Sequence, residues 1–310
     1  MILTAQRVLV GISLGADTTP ELMVTDLDRG ALNQALRVVK ASGGTIHLHH
    51  SIDWVGFDPV AAVPELADAA IERANSLLAK LIDECRSAGV QTSASASIGP
   101  AWSELLAAAE RFNADLLVIG PRAHSTDILG KLTYGSTAQK LARKSPCSVW
   151  IVHPSASEGP KRAGVMVDLK AYTDEMVELG NWLRDKLGMA TDLVHCVDFP
   201  ADIALQRLPN AAEALRKYHA EVLVDAAKRI EAALGDRKKE WRVDLSDAWV
   251  TQVAPELVDK RGVDLLVIAG TTKPGLAGIF LGSTAAKLVA RATCSTLVAR
   301  AFPGWPSPEE

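Results

Sequence analysis

Short runs of apolar residues alternate along this chain with longer segments in which apolar residues recur at helical spacing. The first apolar run covers residues 8–12, a helical pattern covers 27–41 and ends at Gly43-Gly44, and a second apolar run covers 45–52. Short strands that are apolar on both faces and alternate with helices are typical of a parallel sheet with helices on both sides. The pattern therefore predicts an α/β protein with a doubly wound sheet.

The same alternation continues to residue 300. It predicts further strands at residues 90–98, 116–119, 148–152, 165–167, 192–197, 241–245, 265–268 and 296–300. Between the strands it predicts two long amphipathic helices. Their apolar stripes comprise Leu66, Ala70, Leu77, Leu81 and Cys85 in the first helix, and Leu215, Val222, Leu223, Ala226, Ile230 and Leu234 in the second. Other helices are predicted to begin at Pro100, at Gly135 and near Asp174.

One stretch of the chain occurs twice. Residues 115–120 (DLLVIG) and 135–148 (GSTAQKLARKSPCS) reappear as 264–270 (DLLVIAG) and 282–295 (GSTAAKLVARATCS). From the Gly-Ser pair through Cys-Ser, the two versions agree at 8 of 14 positions. The chain is therefore predicted to hold two copies of one unit, each a five-stranded parallel sheet with helices on both faces.

The length of 310 residues also favours two domains over one core. We predict copy one at residues 1–153 and copy two at residues 161–302. The intervening residues 154–160 are rich in Pro, Ser and Gly and are predicted to form a linker, and residues 303–310 are predicted to form a tail.

Charge and composition exclude several classes of function. The 33 basic and 37 acidic residues give a net charge of -4, which offers no overall electrostatic surface for nucleic acid or an anionic membrane. No apolar run reaches the roughly 18 residues of a spanning helix, and the N-terminal residues lack the features of a signal peptide. We therefore expect a cytoplasmic protein that binds neither nucleic acid nor membranes.

The sequence shows no set of catalytic or metal-binding residues. Four cysteines are too few for a disulfide framework, and Cys147 and Cys294 hold equivalent places that favour small buried residues. His47 and His49 share one face of a predicted strand but have no third ligand nearby. Because GxSxG, HExxH and phosphate-loop lysine patterns are also missing, we predict no catalytic residue and no metal site.

A helix start follows strand four in each copy. Ligands of open parallel sheets sit beyond the carboxyl ends of the strands, where free N–H groups and the helix dipole attract a phosphate. Gly282-Ser283-Thr284 holds that place in copy two and Gly135-Ser136-Thr137 in copy one. Serine is also an ordinary helix cap, so each segment alone is a weak signal. The duplication strengthens the prediction of an anion site.

These repeated segments resemble the universal stress protein family in its tandem two-domain form. The segments Leu48-His49-His50 and Leu193-Val194-His195 also look like that family's leucine-valine-histidine strand, with His50 and His195 at matching positions. The resemblance covers nearly the whole chain. It implies a Rossmann-like fold, similar to the adenine nucleotide alpha hydrolases, for each copy. It further implies a non-enzymatic stress-response role, in which the ligand is either a nucleotide such as ATP or AMP or another small anionic molecule.

The ATP-binding branch of that family carries a G-2x-G-9x-G-S/T pattern after strand four and an aspartate at the end of strand one that contacts adenine. In copy one Gly120 holds the first glycine, but Ala123 replaces the second, the loop is two residues longer and Ser13 replaces the aspartate. Copy two keeps Asp168 and the spacing, with Ala269 and Thr272 in place of two glycines.

The resemblance therefore implies one ligand site, mainly in copy two, with Asp168 on the base and Gly282, Ser283 and Thr284 on the phosphates. The full set of candidates is Asp168, Val197, Ala269, Gly270, Gly282, Ser283 and Thr284, with Gly120, Gly135 and Ser136 as weaker candidates in copy one. The loop charges Lys273, Arg122, His124 and Lys131 either pair with phosphate or are simply solvated.

The resemblance also implies that the last strand of one unit pairs with the last strand of another. Residues 148–152 and 296–300 are expected to pair within the chain as an intramolecular pseudo-dimer, which would bury two exposed sheet edges. A homodimer stays open. Two other functions also stay open: an interaction or scaffold protein that has lost ATP binding and takes an apolar small molecule, and an enzyme of related fold.

Overall fold

The computed structural model describes residues 5–14, 24–53, 64–120, 134–153, 159–170, 172–247, 250–270 and 281–300. Copy one contains the strands β1 (Arg7–Ile12), β2 (Thr45–Ile52), β3 (Thr92–Ile98), β4 (Leu116–Ile119) and β5 (Ser148–Ile151). Its helices are α1 (Asp26–Ser42), α2 (Pro64–Ser87), α3 (Ala101–Phe112) and α4 (Ser136–Lys144). Strands and helices alternate, as the hydrophobic pattern predicts.

Copy two repeats this order. Its strands are β6 (Arg162–Met166), β7 (Ala190–Cys196), β8 (Trp241–Ser246), β9 (Leu265–Gly270) and β10 (Ser295–Arg300). Its helices are α5 (Thr173–Leu187), the short α6 (Asp202–Leu205), α7 (Ala211–Leu234), α8 (Val250–Arg261) and α9 (Ser283–Arg291), with a 3-10 turn at Gly235–Glu240. Helix α8 contains Pro255, and the hydrophobic pattern alone did not assign it.

All ten strands form one continuous sheet. Their order is β3-β2-β1-β4-β5-β10-β9-β6-β7-β8, and the strands within each copy are parallel. Each half therefore has the doubly wound order, in which strands are added first on one side of the first strand and then on its other side. The α/β class and the duplicated five-stranded units are confirmed.

The two halves meet where β5 and β10 pair antiparallel. The register sets Thr296 opposite Ile151, Leu297 opposite Trp150 and Val298 opposite Val149. His153 adds a bond across this seam by donating its N–H to Ser295 Oγ at 3.0 Å. The expected pairing of the two last strands within one chain is thus present. It joins the edges of two five-stranded sheets into one sheet.

Two apolar layers cover the sheet. One lies beneath α1, α2, α5 and α7 and includes Trp150 and Leu297, and the other lies beneath α3, α4, α8 and α9 and includes Leu9 and Leu288. Each layer runs across the seam, so both copies contribute to both cores. The seam is consequently packed on both faces by side chains from the two copies.

The stripe predicted for the first long helix is wrong at one end. Leu66 is 48% exposed, because it lies one residue, or about 100° of rotation, away from the buried line of α2. The buried line comprises Ala67, Ala74, Leu78, Leu81 and Cys85. In the second long helix, Ala226, Ile230 and Leu234 are buried as predicted. The predicted end of α1 is confirmed, because Gly43 adopts φ 75° and caps Val39.

Candidate functional site

The carboxyl ends of β6, β7 and β9 form one edge of the sheet in copy two. Strand β6 lies between β7 and β9, with Val165 opposite Val267 and Met166 opposite Val194. Continuing these registers brings Asp168 level with Gly270. Because parallel strands end on the same side, the structure places Asp168, Val197 and the β9 end at one edge, where ligands of such sheets bind.

Asp168 begins a tightly bent turn at this edge. Its Oδ1 accepts a hydrogen bond from Lys170 N at 2.9 Å, and the side chain is exposed. Leu169 has φ 55° and Tyr172 has φ 66°, left-handed conformations that cost non-glycine residues of order 1 kcal/mol each. Arg229 from α7 donates to the carbonyl of Leu169. The turn is therefore a strained segment that is held by a helix far from it in sequence.

The matched histidines hold the ends of the first strands. His195 Nδ1 donates to Val167 O at 2.9 Å, and His50 Nδ1 donates to Ile12 O at 2.9 Å. A carbonyl only accepts, so each bond fixes the proton on Nδ1. Val197, the residue after β7, is buried and donates its N–H to Ser246 O at 2.7 Å. These bonds explain the repeated strand-two motif as a support for the edge.

Helix α9 begins at this edge with an open first turn. Its N-cap, Gly282, has φ -54° and ψ 153° and supplies no side-chain cap, and the first turn carries no acidic residue. Ser283 and Thr284 are exposed. The first N–H groups of a helix lack intrahelical partners, and the dipole there favours an anion. The three sequence-predicted phosphate residues are thus placed where a phosphate would find donors.

Gly270 has a different reason to be glycine. It is buried at the end of β9, and an added Cβ would lie 2.9 Å from Nη1 of Arg300. Arg300 is 1% exposed and donates from Nη2 to Ala142 O in copy one. Burial lowers the pKa of Arg300 to about 10, which leaves it charged at neutral pH. Packing at the seam therefore favours glycine here, because a Cβ would displace the Arg300 side chain. Ala269 is half-buried against the apolar layer.

The equivalent edge of copy one already holds a carboxylate. Ser13 donates its N–H to Asp28 Oδ1 at 3.0 Å, and Asp28 is 6% exposed. Asp28 N also donates to Thr25 Oγ1 at 3.2 Å, which is the bond of a helix capping motif. The three-residue spacing from Thr25 to Asp28 is the sequence signal for this capping motif, and it places Asp28 in the first turn of α1.

The helix starts of the two copies are alike. Gly135 caps α4 with φ -65° and ψ 169°, close to the angles of Gly282, and Ser136 is exposed beside it. Gly120 directly follows β4 and is half-buried. The loop residues Arg122, Ala123, His124, Lys131, Thr272 and Lys273 lie outside the described residues.

An aromatic cluster after β7 borders the edge in copy two. Phe199 lies 3.9 Å from His219 between ring centroids, and Tyr218 OH accepts from Ala201 N at 3.3 Å. His219 Nε2 lies 2.7 Å from Asp202 Oδ1. Sequence reasoning missed this cluster, because the rings come from a loop and from α7 and have no motif in common. It adds planar groups to the edge near Val197.

The histidines of β2 form a hydrogen-bonded ladder with the serines of β3. His47 bridges Ser93 and Ser95 at 2.8 Å each, and His49 bridges Ser95 at 2.9 Å and Ser97 at 3.1 Å. All four ring nitrogens are therefore engaged by hydroxyl groups. Among the described residues, no group of three or more His, Cys, Asp or Glu side chains is placed to hold a metal ion.

This ladder makes stability depend on pH. Burial, followed by the charge of His47, lowers the pKa of His49 to about 4 from 6.5. The unfolded chain takes up this proton near pH 6.5 and the folded chain only near pH 4, so acidification favours unfolding. Between pH 7 and pH 5 we expect wild type to lose about 2 kcal/mol more stability than His49→Gln. Urea denaturation at both pH values checks this, and equal losses would contradict it.

The cysteines are protonated thiols at neutral pH. Burial raises the pKa of Cys147 to about 11 and that of Cys294 to about 12. Cys85 is also buried, and none of the four cysteines forms a disulfide. Cys147 and Cys294 are thus small buried residues, as their matched positions predict. Within the described ranges, the helices are too short or too polar to cross a bilayer.

Comparisons with known proteins agree with this architecture. The model of the universal stress protein family matches residues 25–153 and 160–300. The comparison with curated proteins gives no match. A universal stress protein from Archaeoglobus fulgidus DSM 4304 is 16% identical, with a TM-score of 0.66 over 96% of this chain and 98% of that one. A functionally unknown protein from Pseudomonas aeruginosa PAO1 is 17% identical, with a TM-score of 0.60 over 95% and 92%. At these identities the two structures are similar in fold.

Proposed function

The chain belongs to the universal stress protein family, and from this premise we propose that it is a stress-response protein that binds an adenine nucleotide, ATP or AMP, in copy two. The proposed site comprises Asp168, Val197, Ala269, Gly270, Gly282, Ser283 and Thr284. The role that we propose for it is binding without chemical turnover.

The strained turn at Asp168 is the observation that carries the proposal. Left-handed non-glycine residues persist where surrounding structure holds them, and they cluster at ligand sites. In copy two, Leu169 and Tyr172 are left-handed, whereas the equivalent Leu14 of copy one is not among the left-handed residues. In copy one, Asp28 lies at the carboxyl ends of the strands instead, where it accepts a hydrogen bond from the backbone N–H of Ser13. Copy two is therefore the better site.

Each part of the edge has a stated role in the proposal. The Asp168 carboxylate accepts a hydrogen bond from the amino group of the base, and Val197 supplies an apolar wall. The N–H groups at the start of α9 receive the phosphates, helped by the helix dipole. Gly270 contributes only its backbone to the site. Its lack of a side chain makes room for Arg300 and is not evidence for a ligand.

Calorimetric titration with ATP tests this function. We expect one site per chain, and Asp168→Ala should raise the Kd about tenfold, which is the effect of losing one hydrogen bond to a charged group. Ser13→Ala, at the equivalent place in copy one, should leave the Kd unchanged. No heat with wild type would refute ATP binding, and an equal effect of both variants would refute the assignment to copy two.

A scaffold protein without a nucleotide is the second candidate. One observation favours it: Arg300 accounts for Gly270, so that glycine is not evidence for a phosphate. A crystal grown with millimolar ATP and showing no nucleotide at the edge would support this candidate over the first.

We also propose how the chain is organised in the cell. Copy one (1–153) and copy two (161–302) would act as a pseudo-dimer in one chain, with copy one as the structural partner of the ligand-binding copy. The pairing of β5 with β10 supports this view, because it occupies the edge that each copy would otherwise expose. We propose a cytoplasmic location, which fractionation would test.

A further inference from the structure

The two copies differ in the space between their third and fourth helices. In copy one this space lies between α3 and α4, and in copy two it lies between α8 and α9. Counting back from the shared aspartates, Asp115 and Asp264, residue 102 matches residue 251 and residue 105 matches residue 254. The helices α3 and α8 begin and end at matching residues. The two spaces can therefore be compared residue by residue.

In copy one an indole ring occupies this space. Trp102 of α3 is partly buried against the apolar layer. Two ammonium groups of α4 lie over its ring, Lys140 Nζ at 5.0 Å and Lys144 Nζ at 4.8 Å from the centroid. Both distances are within the range of cation–π attraction. Copy one thus shows which group these two helices accommodate, a planar aromatic ring beneath two cations.

In copy two the ring is missing and a groove remains. Thr251 replaces Trp102, Ala254 replaces Leu105, and the groove has a volume of about 170 Å³. Its lining includes Ala254, Val258, Leu266 and Leu288, which form an apolar floor. Pro255 also lines it and has no N–H, so it does not donate the usual helical bond to Thr251 O. The groove therefore combines an apolar floor with a polar rim, where Thr251 O lacks its usual helical donor.

The two cations of this space are kept in copy two. Lys287 matches Lys140 and Arg291 matches Lys144, and both line the groove and are exposed. Within the described part of the chain, neither forms a salt bridge with a carboxylate. The guanidinium of Arg291 binds a carboxylate through two parallel hydrogen bonds, which the ammonium of a lysine does not. In copy two, one of the two cations is therefore an arginine, a group suited to binding a carboxylate.

We propose that the α8–α9 groove binds a small planar aromatic molecule that carries a carboxylate. The ring takes the place of the Trp102 indole beneath Lys287, and the carboxylate pairs with Arg291. Leu266 lies near the start of β9, so the floor of this groove is at the opposite end of that strand from Gly270. The site is therefore separate from the proposed nucleotide edge and does not rest on it.

Ligand-observed NMR with indole-3-acetate tests the proposal. We expect saturable binding to one site with a Kd of about 1 mM, as suits a ligand of this size. Thr251→Trp should fill the groove and abolish binding, and it should fold, because copy one carries tryptophan at this place. Thr251→Ser is the matched control and should bind like wild type. Arg291→Gln should weaken binding at least about tenfold.

Trp102→Thr supplies a second, opposite test. It should open the equivalent space of copy one, and because Lys144 and Leu105 stand there in place of Arg291 and Ala254, the second site should bind more weakly than the first. Several results would overturn the proposal: no saturable binding by wild type, unchanged binding by a folded Thr251→Trp variant, or equal affinity for neutral indole. Binding of an acidic aromatic peptide in place of the free acid, blocked by Thr251→Trp, would also overturn it and assign the groove to a protein partner.

Discussion

Replacing Trp150 by alanine is expected to lower the free energy of unfolding by about 4 kcal/mol, the usual cost of removing a large buried aromatic side chain. Trp150 lies in β5 and is fully buried. It stands opposite Leu297 of β10, so its ring fills the apolar layer where the two copies meet. Urea denaturation at pH 7 measures the loss directly.

Two control variants separate this effect from the general loss of an aromatic ring. Trp150→Phe keeps most of the packing and removes an indole N–H that lacks a hydrogen-bond partner among the described residues, so we expect a loss below about 2 kcal/mol. Trp102→Ala removes a partly exposed ring and should also cost less than Trp150→Ala. If Trp102→Ala costs as much, the burial of Trp150 at the seam is not the reason for the loss of stability.

Replacing Gly282 by valine is expected to weaken ATP binding about a hundredfold. The valine methyl groups would stand in front of the first N–H groups of α9 and block two charge-assisted hydrogen bonds to the phosphates. The backbone of Gly282, with φ -54° and ψ 153°, is one that valine adopts without strain. The fold should therefore survive, and calorimetry should report the loss of affinity alone.

Gly135→Val in copy one is the matched control. Gly135 has φ -65° and ψ 169° at the start of α4, so this substitution makes the same change in the same backbone context. ATP affinity should stay at the wild-type value. A large loss with Gly135→Val and none with Gly282→Val would move the site to copy one. Unchanged affinity in both variants would exclude the helix starts as phosphate sites.

The fold was largely predictable from local patterns. Strands β2 and β4 have the bounds that their apolar runs predict, 45–52 and 116–119. The repeat of DLLVI and GSTA also predicted the duplication. The apolar pattern does not predict helix α8, because Pro255 interrupts its helical period. The pattern predicts the wrong face for Leu66, because one residue of offset turns a side chain by about 100° around the helix.

The candidate site was predictable only in part. Asp168 and Gly282 stand out in the sequence, because residue type and spacing indicate a strand end and a helix start. Arg229 does not stand out, since the Leu169 carbonyl it binds lies 60 residues away. Asp28 has a local signal, the spacing from Thr25, but nothing near it in sequence indicates that it binds Ser13. Side-chain roles of this kind depend on which elements become neighbours.

By itself the sequence determined the alternation of strands and helices, the duplication, and the residue types that begin the helices at the carboxyl ends of the strands. These features follow from periodicity and cap chemistry within a few residues. Only the tertiary structure decided that Arg300 packs against Gly270 and that the serines of β3 engage His47 and His49. It also decided that the space filled by Trp102 in copy one is left open beside Thr251 in copy two. Each of these depends on packing between segments far apart in the chain, where local patterns carry no information about the partner.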